Sequence, residues 1–221
     1  MPKEEILAKT RHFVRQKLEG ESSGHDWWHI DRVRNVALSI SKEEKADLYI
    51  VELAALLHDI ADWKFHQGDG TVGPKVAREW LQSLGADEQT ISHVCDIIKT
   101  ISFKGSGVPT PMNSKEGMVV QDADRLDALG AIGIARTFAY GGSKGRAMYD
   151  PRHKPQLHQS FEAYKNDKDD KDGHTINHFY EKLLLLKDRM NTETGKRLAL
   201  QRHQYMEQYL EQFYREWEGR K

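Results

Sequence analysis

Residues 46–61 read Ala-Asp-Leu-Tyr-Ile-Val-Glu-Leu-Ala-Ala-Leu-Leu-His-Asp-Ile-Ala. Wound at 3.6 residues per turn, the run is apolar almost all the way round, which marks a buried helix. Such a helix cannot lie on a surface, and it needs other helices or a sheet around it. The rest of the chain offers helices. Residues 3–19 carry Ile6, Leu7, Phe13, Val14 and Leu18 on one stripe. Asp26 is an N-cap type ahead of Ile30, Val33, Ala37 and Ile40, which repeat until about Ser41. Val76, Trp80, Leu81 and Leu84 form a further stripe closed by Gly85, and Asp87 caps Ile91, Val94, Ile98 and Ile101. Asn113 and Glu116 have capping-box spacing before a segment from Met118 towards Phe138. Two more helices are expected at 175–190 and 192–217, the last striped by Leu198, Tyr205, Tyr209, Phe213 and Trp217. Alternating strand patterns are absent. The expected fold is all-α, a single helical-bundle domain over residues 1–221, with irregular stretches at 64–74, 102–113 and 139–173.

Composition narrows the class. The 33 Lys and Arg against 34 Asp and Glu leave a formal charge of −1, which argues against binding a nucleic-acid polymer. The single Cys, Cys95, excludes an internal disulfide framework and suits a reducing cytosol. The opening Met-Pro-Lys-Glu-Glu is acidic where a signal peptide is basic, and no apolar run is long enough to span a membrane. A cytoplasmic protein is expected. The run at 165–173 invites a calcium-loop reading, but aligning Gly173 to the loop glycine puts Lys168 and Phe179 where acidic ligands belong. It reads as a solvated, mobile charged loop within about 139–173.

Chemistry concentrates where ionisable residues interrupt apolar helices. His58-Asp59 closes the most hydrophobic helix, where desolvation and the negative end of the helix dipole both disfavour a carboxylate. Asp62 adds a second acid one turn on, so something cationic should compensate them. The short connection between the helices holding His29 and His58 favours an antiparallel hairpin. At ~1.5 Å per residue both histidines lie roughly 20 Å from the turn, side by side. Asp124 and Asp127 are three apart on one face of a further apolar helix. Buried acids need paired charge or a metal. His29, His58, Asp59 and Asp124 make a mixed nitrogen and oxygen set that suits Mn, Fe, Co, Ni, Zn or Mg, with water positions left over. An open, water-bearing site is what metal-assisted hydrolysis requires.

The order His29, then His58-Asp59, then Asp124 resembles the His…His-Asp…Asp signature of the HD-domain metal-dependent phosphohydrolases. The phrases around them carry the resemblance further: Gly-His-Asp-Trp-Trp-His-Ile-Asp-Arg-Val at 24–33, Leu-Leu-His-Asp-Ile-Ala-Asp-Trp-Lys at 56–64 and Asp-Ala-Asp-Arg-Leu-Asp-Ala at 122–128. Ile-Ser-Phe-Lys-Gly at 101–105 and His-Phe-Tyr-Glu-Lys-Leu-Leu at 178–184 add to it. They are similar, over nearly the whole chain, to the small bacterial branch that includes nucleotide pyrophosphohydrolases. The resemblance implies one divalent metal in the helical core, manganese first among the candidates, and a nucleotide substrate. It implies hydrolysis of a (deoxy)nucleoside triphosphate to the monophosphate and pyrophosphate. Nucleoside monophosphatase and cyclic-nucleotide phosphodiesterase are the alternatives within that chemistry, and a non-catalytic nucleotide or metal sensor is the alternative outside it.

In that frame Asp62 is the expected catalytic acid that orients or deprotonates the attacking water, against a helix-end salt bridge as its plain role. A polyphosphate needs cations beyond the metal, and Arg32, Lys64, Lys104 and Arg125 are the candidates, with His25 one turn before His29. The Gly-rich 141–146 stretch could cradle phosphates through backbone N–H groups, although it lacks the P-loop pattern. His66 and His93 fall where two-metal relatives place extra ligands, but the paired-His arrangement is missing, which favours one metal. His174 and His178 read as supporting or surface residues. Trp27, Trp28, Trp80 and Tyr140 read as core before base-stacking. A homodimer is compatible with this reading and nothing in the sequence fixes it.

Overall fold

The computed structural model describes residues 1–20, 26–61, 69–157, 160, 162 and 174–220. Among these the secondary structure is helical throughout, as expected for an all-α protein. The order is α1 (Lys3–Leu18), α2 (Trp27–Glu44), α3 (Leu48–Leu57), α4 (Val72–Ser83), α5 (Glu88–Thr100), α6 (Lys115–Asp127), α7 (Gly130–Ser143), α8 (Asn177–Glu181), a 3₁₀ segment (Leu183–Arg189) and α9 (Glu193–Trp217). The chain divides into two compact units, Met1–Lys104 with Val108–Ala123, and Gly105–Gly107 with Asp124–Lys221. Among the described residues no helix is long and apolar enough to cross a membrane.

In the first unit α3 is the buried helix that the apolar run called for. Leu53, Ala54, Ala55, Leu56 and Leu57 have no solvent exposure, and α1, α2 and α5 all pack on α3. Lys45 turns the chain between α2 and α3 in the left-handed conformation, at φ 56°. Asp47 then starts α3 by accepting hydrogen bonds from the backbone N–H groups of Tyr49 at 2.8 Å and Ile50 at 3.3 Å. Its own N–H donates to the Glu116 carboxylate at 3.0 Å. Across the α2–α3 pair, Arg34 Nε donates to Glu52 Oε1 at 2.7 Å and fixes the register. Trp27 is buried in the core and Trp80 is half-buried. Trp80 stacks on Phe13 at 3.9 Å and donates its indole N–H to the buried Thr10 hydroxyl, whereas Trp28 is exposed.

A buried amide meets two carbonyls of the irregular stretch after α5. Gln121, fully buried on α6, donates from Nε2 to the carbonyls of Ile101 at 3.2 Å and Thr110 at 3.1 Å. Those carbonyls lie outside helices, and the buried side-chain donor satisfies them.

Several helix limits differ from expectation. Ser114, not Asn113, caps α6, its hydroxyl accepting from the Gly117 N–H at 3.1 Å. The helix does not run on to Phe138. It stops at Asp127, and α7 starts at Gly130, whose φ of 71° only glycine adopts without strain. Residues 175–190 are a short α8 followed by a 3₁₀ segment, not one helix. The inward stripe of α9 is Ala199, His203, Met206 and Leu210, while Tyr205 and Trp217 are about half exposed. This stripe packs α9 on α7 and the 3₁₀ segment within the second unit. The 141–146 stretch is the C-terminus of α7: the N–H groups of Lys144, Gly145 and Arg146 donate to the carbonyls of residues 140–142, so they are spent on ending a helix and cradle no phosphate. Residues 139–143 are therefore helix rather than loop, and 158–159, 161 and 163–173 of the expected charged loop lie outside the described residues.

Candidate metal centre

The α2–α3 hairpin closes as its lengths require. Asp26 caps α2 by accepting from the His29 N–H at 2.9 Å, which places His29 in the first turn of the helix. His58 lies at the same end of the pair, away from the turn, at the C-cap of α3, and Asp59 follows in the turn after it. The His29 and His58 rings meet edge to face, with centroids 5.3 Å apart. The Asp59 carboxylate oxygen lies 3.4 Å from His29 Nε2 and 3.6 Å from His58 Nε2. His29 and His58 are 1% and 5% exposed, so this is a polar cluster inside the core.

One contact sets the chemistry of His58. Its Nδ1 lies 2.8 Å from the Ala55 carbonyl oxygen. A carbonyl only accepts, so Nδ1 carries a proton and Nε2 is the ring nitrogen turned towards Asp59. A backbone carbonyl behind a ligating imidazole is the usual way a metal ligand is oriented. Together His29, His58 and Asp59 each offer one ligand atom, all within 4.8 Å of one another. Two imidazole nitrogens and a carboxylate form a donor set that first-row divalent metals take, and the residues fit such an ion.

Asp124 is not in that group of three; it is half-buried on α6 and counts with the second unit. Its neighbour Asp127 is committed elsewhere, to Arg136 Nη1 at 3.0 Å. Arg125, expected at a phosphate, is instead buried and donates to the Arg189 backbone carbonyl within the second unit. Adjacency to Asp124 in sequence does not bring it to the same side, since successive helical residues point about 100° apart. Arg32, on α2 three residues past His29, and Lys104, after α5, are both half-buried. His93 lies 3.6 Å from Glu116 and belongs to no metal-type group among the described residues. His25, Asp62, Lys64 and His66 lie outside the described residues. The Ala55 carbonyl is the contributor that the sequence did not name; its only signal was the three-residue spacing before His58 at a helix end.

Comparison with known proteins adds a consistent picture. The HD-domain family model matches residues 27–129, which include every residue of the cluster. A protein from Lactobacillus plantarum is similar in structure, with a TM-score of 0.85, 38% identity, and coverage of 99% of this chain and 100% of that one. An HD-superfamily hydrolase from Bacillus thuringiensis is 47% identical, with a TM-score of 0.75 and coverage of 98% and 99%. YpgQ of Bacillus subtilis is 41% identical over 213 residues, 95% of this chain and 92% of that one. The structure of YpgQ in complex with ADP matches with a TM-score of 0.72 and 36% identity, over 95% of this chain and 97% of that one.

Proposed function

The chain belongs to the HD-domain superfamily, and from that membership we propose that it is a metal-dependent phosphohydrolase acting on nucleotides in the cytoplasm. The reaction we assign is (deoxy)nucleoside triphosphate plus water to the monophosphate and pyrophosphate. The observation that carries the reading is the gathering of one ring nitrogen each from His29 and His58 and an Asp59 carboxylate oxygen within 4.8 Å in a buried setting. Without a cation such a cluster would put a carboxylate against two imidazoles at a helix C-terminus, where the dipole adds further negative potential. That YpgQ has been solved with ADP supports a nucleotide as the ligand class.

His29, His58 and Asp59 are the residues that would hold the ion, and Asp124 is the proposed fourth ligand on the strength of the signature. A divalent ion bound there, with manganese the first choice, supplies Lewis-acid polarisation of a phosphoryl oxygen and a water of lowered pKa. The chain's own groups do the rest. Asp62, four residues after His58, takes the proton of the water that attacks the α-phosphorus. The bond from that phosphorus to the bridging oxygen breaks, and pyrophosphate leaves with the bond's electron pair. Arg32 and Lys104, with Lys64, Arg125 and His25 of the expected set, are proposed to neutralise phosphate charge. Arg125 is the weakest of these because its guanidinium is already turned to the Arg189 carbonyl.

The test is product analysis by phosphorus NMR across a nucleotide panel, with manganese, cobalt and magnesium supplied in turn. Pyrophosphate from triphosphates supports the assignment. Orthophosphate from monophosphates, or turnover of cyclic nucleotides alone, replaces it with one of the two related activities. No turnover of any phosphorylated compound turns the reading to a sensor. Asp59→Ala and Asp124→Ala should each remove the ion of this centre and turnover with it. Asp62→Ala should keep the ion and lose rate.

A further inference from the structure

A second group of metal-type donors lies in the second unit, on the chain between α7 and α8. Asp150, His153 and His174 each offer one ligand atom, and these atoms lie within 4.8 Å of one another. Two pieces of backbone bring them together. The N–H groups of Thr175 and Ile176 donate to the carbonyls of Ala147 and Met148 at 3.0 and 3.1 Å, and Asn177 Nδ2 donates to the His153 carbonyl at 3.4 Å. Asp150 and His153 share a turn closed by the His153 N–H on the Asp150 carbonyl, at 3.1 Å. His153 Nδ1 is 3.4 Å from Asp150 Oδ2, and the His153 and His174 rings lie 4.7 Å apart.

His174 is the decisive member. It is 8% exposed, and neither Nδ1 nor Nε2 has a hydrogen-bond partner among the described residues. An imidazole kept for packing bonds at least one ring nitrogen, since burying a polar atom without a partner costs roughly 1–3 kcal/mol. Here both nitrogens are shielded from solvent beside a histidine and a carboxylate. Asp150 is gripped by Arg152, whose Nη2 lies 2.6 Å from Oδ2 and whose Nε lies 3.0 Å from Oδ1. That grip leaves capacity, because a carboxylate has about four lone-pair sites. The Arg152 side chain is 83% exposed, and exposed ion pairs of this kind hold weakly.

We propose that Asp150, His153 and His174 form a second divalent-metal site, of the two-imidazole, one-carboxylate composition that zinc-class ions take. Three protein ligands leave one position for water. The ion would fasten the turn at 150–153 to the residue that leads into α8. The site is separate in sequence and in ligands from the cluster on α2 and α3, and it does not depend on the function proposed for that cluster.

The test counts ions. Metal-free protein is dialysed against zinc alone, and bound zinc is measured for the wild type, Asp59→Ala, His153→Ala and the double variant. The expected stoichiometries are two, one, one and none. His153 is half exposed, so His153→Ala is chosen over His174→Ala, and circular dichroism checks that helicity is kept. Asp150→Asn provides a third, shape-preserving removal and should lose the same equivalent. In Asp59→Ala loaded with cobalt, visible ligand-field absorption should appear, and adding His153→Ala should abolish it. If Asp59→Ala binds no zinc, or if His153→Ala and Asp150→Asn bind as much zinc as the wild type, the second site is overturned. Failure of the α2–α3 centre instead shows as an unchanged count in Asp59→Ala, so the two outcomes are separable.

Discussion

His58 sits where α3 runs out of helix, and carbonyls in a last turn lack amide partners. The Ala55 carbonyl meets that shortage by accepting a hydrogen bond from the His58 Nδ1–H, at 2.8 Å, which in turn points Nε2 at Asp59. The outward partner of a ligating histidine is typically worth roughly 10–100-fold in metal affinity. Removing the imidazole itself should cost more. His58→Ala and His29→Ala should each lower manganese affinity by more than about 100-fold, read by equilibrium dialysis, and turnover should fall with it. An affinity within about threefold of wild type for either variant would mean that these nitrogens face no ion. The residue type and apolar context of His29, His58 and Asp59 were enough to group them from sequence, because ionisable groups in buried helices are rare. Arg125 marks the complementary limit: a basic residue beside an acid in sequence says nothing about which backbone carbonyl it will reach.

Local signals decided the helix starts. Asp26, Asp47 and Asp87 all cap as their residue type predicts, each accepting from N–H groups two or three residues ahead. Asp47→Ala should destabilise the protein by about 1 kcal/mol, which for a chain of this size lowers Tm by roughly 2–4 °C. Asp87 carries a pH signature. Hydrogen bonds from the Thr90 backbone N–H first, and from its hydroxyl second, hold the Asp87 carboxyl below its ordinary range. A carboxyl depressed on folding adds stability that is present above its unfolded pKa of about 3.9 and is lost as pH falls through the lower folded value. Asp87→Asn keeps an acceptor but no charge. Its urea midpoint should therefore fall less steeply than that of the wild type below about pH 4. Helix ends and breaks were harder to read. A capping-box match put the start of α6 one residue early, and apolar residues on both sides of Gly130 concealed the break there. The chain can turn at that point because glycine tolerates φ 71°, and only the packing around it requires the turn. The stripe of α9 was legible in part: Tyr209 and Phe213 pack on Phe138, with Tyr209 stacked on the buried Phe179, whereas the fully buried face runs through Ala199, His203, Met206 and Leu210.

On the scale of the molecule, the all-α class and the α2–α3 pairing were legible because periodicity and a short connection are properties of nearby residues. The interior polar scaffold of the second unit was not, because it joins side chains to carbonyls far along the chain. Where α6 ends, its carbonyls are met by cations, as the dipole there favours: Arg202 donates to the Leu126 carbonyl and Arg136 to that of Asp127. Arg189 continues the pattern with donations to the Gly105 and Ser106 carbonyls, while its own carbonyl accepts from Arg125. Burial pushes the Arg202 and Arg189 guanidinium groups down from their ordinary values, yet arginine this far from titration stays charged. Asp127 is the anion inside this set, its side chain 4% exposed and 3.0 Å from Arg136. Arg136→Ala removes that cation from beside a buried carboxylate and leaves the more distant charge of Arg202. The expected loss is roughly 3 kcal/mol, the low end for breaking a buried pair, or about 6–12 °C in Tm. Replacing both partners, Arg136→Ala with Asp127→Ala, should recover part of that loss, because the desolvated charge has gone with its partner. A double variant as unstable as the sum of the two single ones would mean that the 3.0 Å pair carries no coupling, and that the arginines hold this unit through the helix-end carbonyls alone.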